Sequence, residues 1–353
     1  MRNVTTTITV TNKNPRAQPE RTSTPKPLSR ALGQAESPDT TTIGNLPICT
    51  STTILSGLTA GFDNIIRVEC LDITRVVPLN RAVPRVIAIA NQKGGVGKTT
   101  TAVNLSACLG TLGKRVLLID MDAQANCTSG LGLEKTPNES LYPVLLGEST
   151  LEEKIKETDY KGVSLIPSEF DLCAAEVELA RMSFDVDSGE ADENRDRHLT
   201  WLKEALQPIV NGRRFDVVLI DCPPSLGKLT LSVLIAAHGL LIPLQCEYYS
   251  LEGISSVTNL MDQLKTSGVN KKLELTGVLM TMFDSRTNLS RLVVGEVRKH
   301  FGDKVFRAVI PRATRVAESP SHGKPILYYD PYSAGSAAYE VAAAELLKRL
   351  NLG

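Results

Sequence analysis

The chain has 353 residues, and its 39 Lys and Arg balance 39 Asp and Glu. Neutrality excludes bulk charge as a reason to bind nucleic acid, so any such contact must come from a local patch. The length permits one large α/β domain or two smaller ones, and no apolar run is long enough for a membrane span, the longest (233–244) being broken by His238 and Gly239.

Seven cysteines without a Cys-x-x-Cys pair point to a reducing compartment, not to a disulfide framework or a zinc site. Each is read as a small buried core residue. No signal-peptide apolar region opens the chain.

Residues 1–84 are rich in Thr, Ser and Pro, as in Thr22-Ser23-Thr24-Pro25-Lys26-Pro27. They carry no sustained helical or strand period before a short apolar stretch at 65–77, and 1–60 read as disordered. Three origins fit this extension. One is a flexible tail. Another is a start codon assigned too early, although no Met lies between Met1 and Met121. The third is an organelle targeting peptide, since no acid precedes Glu20.

From Arg85 the pattern alternates. Apolar runs predict strands at 86–90, 116–120, 163–167, 217–221, 240–244 and 275–282. Helical periodicity predicts helices near 101–112, 172–182, 198–210, 228–237, 251–266, 289–301 and 334–350. Solidly apolar strands are buried on both faces, so the expected fold is α/β: a doubly wound, mainly parallel twisted sheet flanked by helices. The polar segment 185–197 reads as a surface loop.

The first strand runs straight into Asn91-Gln92-Lys93-Gly94-Gly95-Val96-Gly97-Lys98-Thr99-Thr100, and a helix follows. Strand, glycine-rich loop and helix form the context that a phosphate-binding loop requires. Gly94, Gly95 and Gly97 let backbone N–H groups turn toward an anion. The helix adds its positive end. Lys98 supplies a point charge for β- and γ-phosphates, and Thr99 a hydroxyl for Mg²⁺. The residues from Lys93 through Thr100, Val96 included, thus make a nucleotide-binding loop.

The second strand ends in Asp120 and Asp122, where ligands sit in an open parallel sheet. The run 217–221 delivers Asp221, followed by Cys222-Pro223-Pro224, as a strand bringing one hard oxygen to a metal opposite Thr99. From Arg286 to Lys324 there are nine Lys or Arg against three Asp or Glu, a local basic concentration in a neutral chain. His238, His300 and His322 have no partner spacing for a metal or a triad and read as structural. Met280 and Met282 read as core.

The loop departs from the common phosphate-loop pattern. Gln92 stands where a glycine is usual, and a second lysine, Lys93, opens the loop. In this the chain resembles the deviant Walker A ATPases of the ParA/MinD group. The strings at 277–288 and 309–326 resemble the chromosomal ParA (Soj) branch. The resemblance spans about Arg85 to Leu352.

It implies a P-loop ATPase domain over 85–353, with ATP and Mg²⁺ as cofactors and a slow intrinsic rate. Asp122 would orient or deprotonate the attacking water, and Asp120 would lie nearer the metal. Lys93 would reach across a two-fold interface into the partner's nucleotide, so ATP would glue a homodimer together. The string 245–253 would face that dimer. The Pro311–Arg312 backbone would border the adenine. Ala313 follows where the family commonly has Asn, which leaves that contact to the backbone. Arg286 and Arg315 would bind double-stranded DNA without sequence preference.

The function implied is ATP-dependent chromosome or plasmid partitioning. A ParB-like centromere-binding partner would stimulate hydrolysis and release the dimer. The protein would be cytoplasmic and nucleoid-associated, without stable membrane association. The alternative is a MinD-type positioning ATPase, which ends in a basic amphipathic helix on lipid. Here the last residues lack Phe and Trp. An iron–sulfur relative would need paired cysteines. A tyrosine kinase on this fold would need a C-terminal tyrosine cluster. A metabolic enzyme that uses ATP to activate a small substrate is the remaining reading.

Overall fold

The computed structural model describes residues 83–185, 197–248 and 250–353. The expectations for the extension up to residue 82, and for most of the polar segment 185–197, lie outside these described residues.

Among the described residues, eight strands form one sheet. In chain order they are β1 (Arg85–Ile89), β2 (Val116–Asp120), β3 (Lys156–Glu157), β4 (Val163–Ile166), β5 (Val217–Asp221), β6 (Gly239–Gln245), β7 (Glu274–Phe283) and β8 (Val305–Pro311). Their spatial order is β3-β4-β2-β5-β1-β6-β7-β8. Among the described residues only the two-residue β3 pairs antiparallel, and every other pairing is parallel. The mainly parallel α/β expectation holds.

The strand composition explains the layering. Side chains alternate across a strand with a period of two. In β1, Val86 and Ala88 enter one apolar cluster, while Ile87 and Ile89 enter the other. In β5, Val218 and Ile220 divide from Val217 and Leu219 in the same way. Both faces are therefore covered. One side carries α4 (Cys173–Asp185), α5 (Arg197–Gly212), α6 (Lys228–Ala236), α7 (Ser250–Thr266) and α8 (Asn288–Phe301). The other carries α1 (Lys98–Thr111) and the C-terminal helix α11 (Ala334–Arg349), which pack against each other. The short helices α2 (Asn126–Gly130), α3 (Tyr142–Leu145), α9 (Thr314–Glu318) and α10 (Ile326–Tyr329) shape the loops.

Two strands were not expected. β8 is an edge strand with an exposed Arg307 in its middle, so it lacks the solid apolar run that betrays a central strand. β3 is too short to show a period. α1 begins at Lys98, three residues earlier than its apolar periodicity, because its first turn serves the loop rather than the core.

The sheet places β5 between β1 and β2, while β6 lies on the other side of β1. The strand order reverses beside β1, and such a point leaves a crevice at the carboxyl ends of the strands. Asn91, Asp120, Asp221, Gln245, Phe283 and Pro311 all stand at or just beyond those ends.

Candidate nucleotide and metal site

Residues 90–97 connect β1 to α1. Gly95 has φ +74° and Gly97 φ +89°, left-handed values that a side chain resists. Gly97 is also the N-cap of α1, and no side chain caps the helix. The first N–H groups of α1 are left to meet an anion.

Two polar staples hold the loop. Asn91 Nδ2 donates to the Pro243 carbonyl at 2.8 Å, while its Oδ1 accepts from the Lys93 N–H at 3.0 Å. Thr281 Oγ1, on β7, donates to the Val96 carbonyl at 2.8 Å. The loop is thus tied to β6 and β7. Lys98 folds inward and is 6% exposed. Its Nζ donates to the Lys93 carbonyl at 3.2 Å. Burial pulls its pKa down, against the attraction of Asp221.

Below the loop, Thr99 Oγ1 donates to Asp221 Oδ2 at 2.7 Å. Cys127 Sγ, on α2, donates to the same oxygen at 3.3 Å. The other carboxylate oxygen, Oδ1, is buried without a hydrogen-bond partner. Burial pushes the Asp221 carboxyl up, and the charge of Asp120 pushes it further. A buried carboxylate with an idle oxygen beside a hydroxyl suits a hard divalent cation, which takes oxygen ligands. Thr99 and Asp221 would hold it, as the sequence pattern predicts.

Asp120 is fully buried. Its Oδ1 accepts from the Asp122 N–H at 3.2 Å, and its Oδ2 accepts from Thr128 N–H and Oγ1 at 2.9 and 2.8 Å. Ligand atoms of Asp120, Cys127 and Asp221 fall within 4.8 Å of one another, a group that could hold a cation. The Asp120 oxygens already organise the turn into α2. Thr128 Oγ1 also accepts from the Ser168 N–H at 2.9 Å, which ties that turn to the end of β4. Asp122 is half-buried at the turn, and its Oδ1 accepts only a local bond from the Gln124 N–H, at 3.0 Å.

On the opposite flank, Lys93 Nζ donates to Glu247 Oε2 at 3.2 Å. Glu247 Oε1 accepts from Gln245 Nε2 at 2.6 Å and stands 3.7 Å from Arg312 Nη2. The Arg312 N–H donates to the Phe283 carbonyl at 2.9 Å, joining the ends of β7 and β8. Pro311–Arg312 therefore borders the same crevice. Arg286 and Arg315 lie outside it, in ion pairs with Asp284 and with Glu318 and Asp330.

Several contacts of the crevice are not legible in the sequence. Cys127, plain core by its sequence, touches Asp221. Its signal was its place seven residues after Asp120, on the helix that follows. Cys173 is exposed, whereas Cys108, Cys127, Cys222 and Cys246 are buried. Met280 is core, but Met282 has φ +52° and is half-buried beside Gly97. Three histidines make structural contacts: His238 accepts from the Val86 N–H, His300 meets Phe301 edge to face, and His322 stacks on Tyr329.

Comparison with known proteins identifies the family. A family described as "AAA domain" matches residues 84–275. The chromosome partitioning protein ParA of Caulobacter vibrioides is 46% identical over 266 residues, covering 75% of this chain and 94% of that one. The sporulation initiation inhibitor protein Soj of Bacillus subtilis is 47% identical over 264 residues, covering 74% and 98%. Among solved structures, a protein named cobyrinic acid a,c-diamide synthase from Mycobacterium smegmatis, with bound ATP analog and magnesium, is 37% identical. It covers 76% of this chain and 96% of its own, with a TM-score of 0.62. A lysine-led phosphate loop braced by three strands, a hydroxyl–carboxylate pair beneath it and this level of identity place the chain in the ParA/Soj family of chromosome-partitioning ATPases.

Proposed function

We propose that this protein is an ATP-hydrolysing partitioning switch: ATP closes a homodimer, the dimer holds duplex DNA without sequence preference, and hydrolysis releases it. The observation that carries the nucleotide half is the Thr99–Asp221 contact beneath an uncapped helix N-terminus, with Asp221 Oδ1 buried and unpaired. The partitioning half is supported by relatives 46% and 47% identical that carry partitioning or Soj names.

The residues divide the work. Backbone N–H groups of the loop and the start of α1 cradle the phosphates, and Lys98 neutralises them. Thr99 and Asp221 would hold Mg²⁺, which would supply electrostatic stabilisation of the phosphate charge. Asp122, free of partners other than its own turn, orients the attacking water. Its loop is fixed through Asp120 and Thr128, so it is aimed by a buried network. Pro311–Arg312 borders the base. Lys93 leaves Glu247 and reaches the nucleotide of a second subunit. A ParB-like partner then stimulates turnover.

Two copies double the phosphate contacts and so raise affinity steeply. Arg286 and Arg315, 85% and 60% exposed at their side chains, present charge outside the crevice. The MinD-type reading loses its anchor. In α11, Ala342, Ala343, Leu346 and Leu347 belong to the apolar core with α1, so that face is not free for lipid. Among the described residues no helix is long and apolar enough to cross a membrane. The small-substrate reading rests on a relative of lower identity, 37%.

The test is retention of random-sequence duplex DNA at low salt. ATP-loaded protein should be retained and ADP-loaded protein should not. Equal behaviour of the two states overturns the switch. Sedimentation with anionic liposomes in place of DNA would favour the membrane reading.

A further inference from the structure

The two arginines assigned to DNA are not bare cations. Arg286 Nε and Nη2 donate to Asp284 Oδ1 and Oδ2 at 2.9 and 2.7 Å, a bidentate fork. The Arg286 N–H also donates to Asp284 Oδ1, at 3.0 Å. The Asp284 carboxyl is drawn down by this arginine to about 2, so it stays ionised at every working pH. Arg315 is held differently but to the same effect. Its Nη1 lies 3.3 Å from Glu318 Oε2, its Nε lies 3.6 Å from Asp330 Oδ2, and its guanidinium sits over the Tyr329 ring at 5.8 Å. Tyr329 OH in turn contacts Glu318 Oε2 at 3.4 Å.

A carboxylate and a phosphate oxygen compete for the same planar donor fork. The arginine side chains are largely exposed, while Asp284 is 19% and Asp330 33% exposed, so water reaches each pair from the arginine side and a stronger anion can take the guanidinium. We infer that Asp284, Glu318 and Asp330 are built-in competitors of the DNA backbone, occupying Arg286 and Arg315 until phosphates displace them. They set both the affinity and the salt dependence of the DNA-bound state. This rests on the DNA reading above and deepens it. The consequence is a weak, readily reversed contact from arginines that alone would grip harder.

Neutralising Asp284 frees one arginine, and neutralising Glu318 and Asp330 together frees the other, so each freed arginine is one further uncompensated cation. Since log K falls with log salt by about 0.9 per phosphate contact, one added contact tightens binding roughly fivefold to tenfold near 0.1 M salt. The experiment measures DNA affinity of the ATP-bound full chain on random-sequence duplex from 50 to 300 mM KCl. Asp284→Asn keeps an oxygen for the Arg286 N–H while removing the charge. Glu318→Gln with Asp330→Asn does the same around Arg315. Tighter binding and a salt slope steeper by about one contact per freed arginine are expected, with turnover in the absence of DNA unchanged. Weaker binding would overturn the inference and make the acids positioners of the arginines. Unchanged affinity and slope would overturn it as well. Arg286→Glu with Arg315→Glu separates the two levels. If wild type binds DNA and this variant does not, the DNA reading stands whatever the acid variants do. If wild type itself is not retained, the DNA reading falls and the inference falls with it.

Discussion

Lys93 Nζ lies 3.2 Å from Glu247 Oε2, within the same chain. The lysine that the family resemblance assigns to a partner's nucleotide is therefore docked at home, on a carboxylate that also faces Arg312. A half-exposed pair of this kind is worth little by itself, so it delays the lysine without trapping it. Glu247→Gln should raise the fraction of dimer at a given ATP concentration severalfold, as read by light scattering. Lys93→Ala should bind ATP normally yet fail to dimerise or hydrolyse it. A Lys93→Ala dimer would remove the cross-subunit role.

Asp221 is a buried carboxylate with one idle oxygen. Burial disfavours its charge, so the site is destabilised until a cation arrives. Asp221→Asn should raise the melting temperature of nucleotide-free protein at pH 8 by a few degrees, on the order of 1 kcal/mol relieved. It should also lower ATP turnover by at least about 10²-fold, the scale of losing an electrostatic stabiliser. Loss of turnover with unchanged cation-dependent nucleotide affinity, measured by calorimetry, would separate Asp221 from the metal.

Asp122 accepts one local bond from the Gln124 N–H and nothing from a distant element. Asp122→Ala should leave ATP binding and dimerisation intact and reduce turnover by about 10²-fold or more, as expected for a positioned proton acceptor. The protein should then accumulate on DNA in its ATP form. Normal single-turnover rates would remove Asp122 as the group that orients water.

His238 Nδ1 accepts from the Val86 N–H at 3.0 Å, at the start of the central strand. Burial lowers its pKa, and Arg85 and Lys272 lower it further. Its stabilisation is present above the ordinary value of about 6.5 and is lost as pH falls through the lower folded value, because protonated Nδ1 cannot accept. Urea titrations from pH 7.5 to 5 should show stability falling on the acid side. His238→Asn, which keeps an acceptor, should flatten that fall. An identical pH profile in the variant would assign the fall to other groups.

The phosphate loop, the buried strands and the acids at their ends were legible because each carries a local signature. Gly97 announces a left-handed turn, and Val217 to Ile220 announce a strand buried on both faces. β8 was not legible, since an edge strand with Arg307 at its centre has no continuous apolar run. Cys127 looked like filler because its role depends on Asp221, 94 residues away along the chain. Met282 looked like core because nothing local reports its positive φ.

By itself, the sequence determined the nucleotide chemistry, through a loop whose spacing fixes lysine, hydroxyl and backbone donors within one turn. It also determined the alternating architecture, through runs whose period decides helix or strand. Only the tertiary structure decided which charges meet. Lys93 and Glu247 are 154 residues apart, and Arg315 meets Asp330 from a separate helix. Coulombic partners are set by distances of a few ångströms in space. Those distances exist only once the strand order around β1 has brought the carboxyl ends together.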